Sequence, residues 1–242
     1  MDERWAIYID IEGFSALYPE GDGALWALNR LMFAIHRIGK NVFPESPDRL
    51  FAHQLGDGFL ITSDFHEENL DRAASITILL MKYITEFGVF ARATIAEGDL
   101  PGITGCYPDE IMNDCDEGTL SSRMGEGLMT IFPVMGTVLI NAVGINKRSS
   151  KKGPLLVMPS AYKNRLSSLF IIRDIPDTTI STIDWIHTEF EGLVKIRDEA
   201  KLGYPNPKEL EIFVRNYIIK HKHKLPTEWI DSCSTYLGVV NT

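Results

Sequence analysis

The feature that most constrains this sequence is an aspartate at the end of an apolar run. Residues 5–9 read Trp-Ala-Ile-Tyr-Ile, which predicts a buried strand that ends at Asp10. A carboxylate in that place is costly unless a cation or a hydrogen-bond donor satisfies it. A second aspartate, Asp57, lies between glycines that separate the strand-like runs 50–55 and 59–63, and Gly-Asp-Gly is typical of a tight hairpin turn.

Together the two aspartates predict a site for divalent metal. If the first strand pairs beside the hairpin, Asp10 and Asp57 come close together, and adjacent carboxylates repel unless they share a cation. Each residue also has an ordinary interpretation. Asp10 can cap the helix that follows it, and aspartate is a common turn residue. The pair, with its glycines and spacing, is more specific than either residue alone.

Composition and charge argue against several classes of function. The chain has 242 residues, is 45% hydrophobic and carries a formal charge of −9, which favours one well-packed domain and disfavours binding to nucleic acid or a membrane surface. The cysteines, Cys106, Cys115 and Cys233, form no Cys-x-x-Cys pair, so we expect neither a disulfide framework nor a zinc site. Because we find no secretory signal and no membrane-spanning run, we expect a cytoplasmic protein.

The order of the predicted elements in the first half indicates an α+β fold. The first strand is followed by an amphipathic helix over residues 24–42, the hairpin around Asp57, a second helix over residues 66–84 and a strand over residues 89–95. The apolar face of the first helix is predicted to consist of Leu25, Leu28, Leu31, Met32, Ile35 and Ile38. This order is the ferredoxin-like βαββαβ arrangement.

The second half of the sequence is less regular. Residues 102–128 are polar and dotted with glycine, which predicts an insertion, and the apolar run 129–143 is predicted to form one arm of a β-hairpin. Beyond residue 175, apolar residues that include Ile183 and Ile186 keep helical spacing, which predicts a helical extension packed on the core. We therefore expect a catalytic domain and a C-terminal extension, at residues 1–175 and 176–242.

Three motifs resemble those of the class III nucleotidyl cyclase family. Residues 10–15 match the family's first metal motif, Asp-Ile-x-Gly-Phe-Ser/Thr, at every fixed position, and residues 55–57 match the Leu-Gly-Asp of its second. Residues 91–99 are similar to its Arg-x-Gly-Ile-His-x-Gly-Glu strand and keep Arg92 and an acid at Asp99. The resemblance implies the family's α+β domain, with a βαββαβ core. It also implies cyclisation of a nucleoside triphosphate by a head-to-tail homodimer with active sites at its interface.

The resemblance also implies roles for the residues of the first two motifs. Two divalent ions, Mn²⁺ or Mg²⁺, would be bound by Asp10 and Asp57, with the carbonyl of Ile11 as a further ligand. The backbone of the next segment, residues 12–15, would hold phosphate oxygens, and Gly13 permits the close approach. Within that nucleotide-binding segment we include Glu12 and Phe14, although the Phe14 ring is expected to pack against the protein.

The sequence departs from the family where an Asn-x-Ala-x-Arg helix supplies residues to the transition state. Depending on the register, the position of the family's arginine falls on Ile145 or on Gly144, and neither is an arginine. We predict that Asn141 takes the role of the asparagine. The arginine's role would fall to Arg148, or to Lys147, about one turn further along the helix. A solvated basic patch that these two cations form with Lys151 and Lys152 is the alternative interpretation.

The residues that would select the base also differ. His53 stands where adenylate cyclases carry a lysine, and the position of the acidic partner falls on apolar sequence. Phe51 and His53 share one face of their strand, which would suit a smaller ring than a purine. This combination is similar to the bacterial anti-phage pyrimidine cyclases of the Pycsar system.

The resemblance therefore implies conversion of UTP to 3′,5′-cyclic UMP and pyrophosphate, with the product activating a separate effector in anti-phage defence. Cyclisation of CTP is one alternative, and a purine cyclase with an unusual base pocket is another. From a different class, a catalytically dead module that binds nucleotide or mediates dimerisation would fit the missing arginine.

Overall fold

The computed structural model describes residues 3–17, 23–42, 50–63, 65–100, 108–115, 121–124, 126–130, 134–149 and 151–239. The strands are β1 (Arg4–Ile11), β2 (Phe51–Leu55), β3 (Gly58–Thr62), β4 (Ala91–Gly98), β5 (Ser121–Met124), β6 (Gly127–Thr130), β7 (Leu156–Pro159), β8 (Ile172–Asp174) and β9 (Ile180–Ile183). The helices are α1 (Phe14–Leu17), α2 (Gly23–Val42), α3 (Asp71–Thr85), α4 (Asp109–Asp114), α5 (Thr137–Arg148), α6 (Glu191–Ala200), α7 (Pro207–His221) and α8 (Thr227–Leu237).

Seven of the strands form one sheet in the order β2-β3-β1-β4-β7-β9-β8. Its pairs are antiparallel except β4–β7, which is parallel, and β5 and β6 form a separate two-stranded hairpin. The first four strands with α2 and α3 have the predicted βαββαβ order, and their sheet order is that of a ferredoxin-like core. The predicted α+β fold is confirmed.

The central strand β1 is apolar on both sides, which accounts for its near-continuous run of apolar residues. Trp5, Ile7 and Ile9 are buried in the main core, to which α2 and α3 also contribute. Ala6, on the opposite side of the strand, packs with Leu60 of β3 and Val138 of α5 in a smaller cluster. Helix α5 thus lies against the sheet side that carries the even-numbered residues of β1, which include Asp10.

The buried stripe of α2 differs from the predicted one. The helix buries Ala24, Ala27, Leu31, Ala34 and Ile38. Two residues of the predicted apolar face, Leu25 and Met32, are 49% and 43% exposed. Alanines in the buried stripe let the helix pack closely, so the larger apolar side chains on either side of it remain accessible.

Two other predictions about secondary structure are wrong. The run 129–143 was expected in a β-hairpin, but only its start lies in β6, and α5 begins at Thr137. Helix α5 buries Val138, Ala142 and Ile145, and this helical period outweighs the apolar character that suggested a strand. Ile183 does not lie in a helix, because the β-branched residues of Ile180–Ile183 pair with β7 in the sheet.

The C-terminal helices are attached to the core by a buried cation. Lys82 of α3 is fully buried and donates hydrogen bonds to the carbonyl of Thr188 at 2.8 Å and to the carboxylate of Glu189 at 2.6 Å. The Tyr204 hydroxyl donates to the same carboxylate, and its ring lies 4.9 Å from the Lys82 ammonium. A buried charge is tolerated when it is paired in this way, so this cluster helps to fix the C-terminal segment on α3.

The division of the chain at residue 175 stays a prediction, although the sheet itself continues to Ile183. Parts of the predicted insertion lie outside the described residues, and the parts described form α4 and the β5–β6 hairpin. Within the described ranges, no helix is both long and apolar enough to cross a membrane.

Candidate active site

The two aspartates of the predicted metal site meet where β1 ends. Asp10 pairs with Gly58, the first residue of β3, and Asp57 lies in the turn directly before it. Gly56 begins that turn with φ +66°, a left-handed conformation that favours glycine. A Cβ atom on Gly58 would lie 2.8 Å from the Ile9 carbonyl oxygen and 2.9 Å from the Asp10 Cβ, so only glycine lets the hairpin approach this closely.

The electrostatics at this point favour a cation. The pKa of Asp10 rises from its ordinary 3.8 to about 7, first because the carboxyl is buried, then because Asp57 and Glu12 are close. Arg92 and a hydrogen bond from Tyr8 oppose this rise only in part. Burial and the same two aspartates raise the pKa of Tyr8 to about 12. Because Asp10 and Asp57 repel each other when both are charged, the two aspartates form a donor set that a divalent ion would stabilise.

This donor set fits a metal ion that completes its coordination with substrate and water. Among the described residues, no group of three or more His, Cys, Asp or Glu side chains could hold a metal. Mg²⁺ typically takes one or two carboxylates, phosphate oxygens and water, so a pair of aspartates is sufficient for it. The Ile11 side chain is a hydrocarbon without a donor atom, so its predicted contribution could come only from the backbone carbonyl.

The predicted base-contacting residues lie on the same side of the sheet as Asp10. His53 pairs with Leu60, which pairs with Tyr8, while Leu55 pairs with Gly58, which pairs with Asp10. Side chains in such rows share a face, and successive rows on one face lie roughly 7 Å apart. Phe51, one row further, is 38% exposed. Burial lowers the pKa of His53.

The segment after β1 supports part of the predicted phosphate contact. Gly13 has φ +76° and is exposed, while Phe14 packs partly against the core, as expected. The backbone N–H of Glu12 already donates to the Phe90 carbonyl at 2.8 Å. A phosphate held by this backbone would therefore depend on the N–H groups that follow Glu12.

Beyond Asp10 the structure forms a cationic cavity, which the lysines of the predicted basic patch line together with residues that were not expected there. The cavity has a volume of about 350 Å³ and is lined by Glu12, Arg92, Asn146, Lys147, Lys151 and Lys152. Arg92 pairs with Asp10 across β1 and β4, is 7% exposed, and donates hydrogen bonds to Asn146, Ser149 and the Gly153 carbonyl. Arg92 was recognised only as a motif residue, and that match was the available signal of its place in the site.

Glu12 offsets part of the positive charge of this cavity. Burial raises its pKa, which Arg92, Lys152, the Trp229 side chain and the Gly153 backbone oppose. Burial also lowers the pKa of Arg92, against the effects of Glu12 and Asp10. Neither Trp229 nor Gly153 was predicted to lie near Glu12, since both are distant in sequence.

The predicted transition-state residues lie on α5. The Asn141 amide donates to the Glu97 carbonyl at 2.8 Å. The exposed Arg148 does not line the cationic cavity, but its guanidinium lies 4.0 Å from where a Cβ of Gly144 would be. Gly144 is one of the two positions at which the register places the family's arginine. The Arg148 side chain therefore extends back to that position, whereas Lys147 lines the cationic cavity.

No protein-family model matches this sequence, and no curated protein matches it significantly. Among solved structures, a dimeric guanylyl cyclase domain of the RhoGC fusion protein from the aquatic fungus Blastocladiella emersonii is similar, with a TM-score of 0.51 and 14% identity. The similarity covers 75% of this chain and 92% of that domain.

Two further similar structures have lower scores. A guanylate cyclase domain from Catenaria anguillulae in complex with GTP has a TM-score of 0.45 and 11% identity, and covers 75% of this chain and 94% of that one. A bacterial light-regulated adenylyl cyclase has a TM-score of 0.47 and 10% identity, and covers 83% and 56%. At such identities the likeness concerns the fold, and the chain has the fold of a class III nucleotidyl cyclase domain.

Proposed function

We propose that this protein is a nucleotidyl cyclase that converts UTP to 3′,5′-cyclic UMP and pyrophosphate. The observation that carries the proposal is the meeting of Asp10 and Asp57 at the end of β1. They lie on a sheet face that also presents Phe51 and His53. By resemblance to the Pycsar cyclases, the product would act as a second messenger that activates a separate effector in anti-phage defence.

Asp10, Asp57 and the Ile11 carbonyl would hold two divalent ions, Mn²⁺ or Mg²⁺. Such ions acidify the attacking 3′-hydroxyl and neutralise the departing phosphates. In the reaction the 3′ oxygen bonds to the α-phosphorus, the bond to pyrophosphate breaks, and the hydroxyl proton is released. The backbone after Glu12 and the cations around Arg92 would orient the phosphate chain beside these carboxylates.

The base would lie against Phe51 and His53. The row of His53 is next to that of Asp10 and the row of Phe51 follows it, so a nucleotide with its phosphates at Asp10 would extend its base towards them. Since the lowered pKa favours neutral imidazole, His53 would offer one donor and one acceptor to a pyrimidine edge. Cytosine presents a different pattern on the same ring, which keeps CTP as the alternative substrate.

Arg148 would stabilise charge on the α-phosphate from a partner subunit. Helix α5 buries Val138, Ala142 and Ile145, and Arg148 is exposed at its last turn. An exposed cation of this kind is suited to complete the site of a second copy, as in the head-to-tail homodimer that the resemblance implies. Because Arg148 reaches the position of Gly144, it supports an active enzyme over a dead module.

The test is to incubate the purified protein with Mn²⁺ and ATP, GTP, CTP or UTP in turn, and to identify the products by mass spectrometry. Cyclic UMP supports the proposal, cyclic CMP supports the alternative substrate, and a cyclic purine contradicts the role given to Phe51 and His53. Absence of every product favours a dead nucleotide-binding module. Asp57→Asn should abolish the reaction, whereas Asp231→Asn, which removes the same charge from an exposed site on α8, should not.

Homodimeric active sites are tested by mixing two inactive variants. Asp57→Asn lacks a proposed metal ligand, and Arg148→Ala lacks the guanidinium that would stabilise charge on the α-phosphate. Each variant alone should therefore be inactive. If the two residues act across an interface, the mixture regains part of the activity, because a mixed dimer contains one intact site. No recovery, with subunit exchange verified, would place both residues in the same subunit's site.

A further inference from the structure

A buried arginine stands beside the predicted metal ligands and is held by uncharged groups. Arg92 of β4 pairs directly with Asp10 of β1, so their Cβ atoms lie roughly 5 Å apart on one face of the sheet. The Arg92 side chain is almost fully buried. Its guanidinium donates hydrogen bonds to three neutral oxygens, which belong to the Asn146 amide, the Ser149 hydroxyl and, at 3.2 Å, the Gly153 carbonyl.

Arg92 forms no ion pair with the carboxylate that it faces across the two strands. Within the ranges that the structure describes, none of the ion pairs includes Arg92. A guanidinium beside a buried carboxylate is well suited to pair with it, because the fork of N–H donors matches the two oxygens. At this point of the sheet, neutral acceptors bind the guanidinium in place of Asp10.

Two of these acceptors form a unit at the C-terminal end of α5. Asn146 and Ser149 stand at positions i and i+3, so they lie on the same face of the helix. The Ser149 side chain is fully buried, and its hydroxyl donates to the Asn146 carbonyl at 2.9 Å. Because a hydroxyl has only one proton, the Ser149 oxygen can act only as an acceptor towards Arg92. Helix α5 thus presents two oriented acceptors to β4.

Neutral partners leave the positive charge of Arg92 uncancelled. The cavity that Arg92 lines also contains three lysines and a single acid, Glu12, so its cations are in excess. An excess of one sign of charge in a cleft attracts ligands of the opposite sign. If Arg92 paired with Asp10 instead, the carboxylate oxygens would be occupied and the charge offered to an anion would be lost.

We propose that Asn146 and Ser149 are positioning residues: their neutral oxygens hold Arg92 off Asp10. The carboxylate is thereby left to a divalent cation, and the guanidinium is left to an anionic phosphate. The consequence for phosphate rests on the proposed function, whereas the consequence for metal binding stands apart from it. Both residues act through Arg92.

Asn146→Ala tests the inference, because it removes the acceptor of the Arg92 Nε–H and places a good helix former in α5. A guanidinium released towards Asp10 competes with a metal ion, and one hydrogen bond changes an equilibrium by up to about tenfold. We therefore expect Asn146→Ala to bind Mn²⁺ alone about tenfold more weakly, measured from the electron paramagnetic resonance of free Mn²⁺. The KM for UTP should rise as well, with kcat changed less.

Two further variants distinguish positioning from damage to the fold. Asn146→Asp keeps an oxygen acceptor but cancels the charge of Arg92, so it should bind Mn²⁺ at least as tightly as the wild type and still raise the KM for UTP. Arg92→Gln removes the competing cation, so adding Asn146→Ala to it should weaken Mn²⁺ binding no further. General damage by Asn146→Ala would instead weaken binding in both backgrounds.

Thr137→Ala is the matched control at the other end of α5. The Thr137 hydroxyl accepts from the backbone N–H of Asp99 at 2.9 Å and donates to the Asp99 carboxylate. Asp99 directly follows β4, so this variant also removes hydrogen bonds between α5 and the end of that strand. Because it leaves the acceptors of Arg92 in place, Mn²⁺ affinity should be unchanged.

The outcomes separate this inference from the proposed cyclase activity. Weaker Mn²⁺ binding in Asn146→Ala, absent from Asn146→Asp and from the Arg92→Gln background, supports the positioning role even if no nucleotide is cyclised. Unchanged binding in Asn146→Ala overturns it, as does an equal loss in Asn146→Asp, in the Arg92→Gln background or in Thr137→Ala. Wild-type protein whose Mn²⁺ binding does not depend on Asp57 overturns both proposals.

Discussion

Removing one of the predicted metal ligands should make the metal-free protein more stable. The pKa of Asp10 rises from 3.8 to about 7, and one pKa unit corresponds to about 1.4 kcal/mol, so the total cost of charging Asp10 is on the order of 4 kcal/mol. Burial is the largest cause and Asp57 the second, so Asp57→Asn should recover only a minor part, on the order of 1 kcal/mol. For a chain of this length that corresponds to a rise in Tm of about 2–4 °C.

The sign of the pH dependence follows from the same raised pKa. Between pH 4 and pH 7 the folded protein holds a proton on Asp10 that the unfolded chain has lost, so stability falls as the pH rises through this window. The gain from Asp57→Asn should therefore be present at pH 8 and small at pH 5. Added Mn²⁺ should stabilise the wild type at pH 8 and leave Asp57→Asn unaffected.

Thermal unfolding followed by circular dichroism, with and without Mn²⁺ at both pH values, measures these effects. Asp231→Asn corrects for the general relief that any lost acid brings to a chain of net charge −9. A fall of several degrees in Asp57→Asn beyond this control would show that Asp57 is needed for the hairpin itself. That result would refute the interpretation of the two carboxylates as a repelling pair retained for a cation.

Three further predictions concern other parts of the chain. Gly144→Ala should raise the free energy of unfolding, measured by denaturant titration, by about 0.5–1 kcal/mol, because an added Cβ meets only the flexible end of Arg148. A fall in the free energy of unfolding by the same amount would show that Gly144 is required in α5. Burial alone would lower the pKa of His187, but its hydrogen bonds to Glu211 and Asp184 outweigh burial and raise it. Its ion pairs therefore stabilise the protein below about pH 6.5, and the Tm difference between wild type and His187→Gln should narrow as the pH rises through the raised pKa; a constant difference contradicts this. Phe51→Ala, at an exposed position, should alter the ratio of UTP to ATP turnover without lowering the Tm, and an unchanged ratio would remove Phe51 from the base pocket.

The parts of the fold that sequence predicts are those where local patterns and pairing agree. The strand before Asp10 and the hairpin around Asp57 each have a clear local signal, and antiparallel pairing of the two is enough to bring the aspartates together. The apolar run that contains Val138 lacked this agreement. Its apolar character suggested a strand, whereas the buried residues keep a helical period and Val138 packs against Ala6 of β1 and Leu60 of β3.

The cationic cavity shows what a single sequence leaves open. Arg92 matches a motif, but the motif does not reveal that Asn146 and Ser149 bind its guanidinium. The contact between Trp229 and Glu12 joins the two ends of the chain, and no periodicity or spacing signals a contact of that range. Such contacts depend on how the C-terminal helices dock, which is fixed by buried groups such as Lys82.

The continuation of the sheet through β9 has a consequence for solubility. A polypeptide that stops at residue 175 would keep the motif residues of the cyclase fold but lose β9, the antiparallel neighbour of β7. Strand β7, whose Leu156, Val157 and Met158 are fully buried, would then have one edge with unpaired backbone N–H and C=O groups. Exposed apolar edges of this kind recruit other chains into intermolecular sheets. Strand β9, which follows residue 175, therefore protects the protein against aggregation.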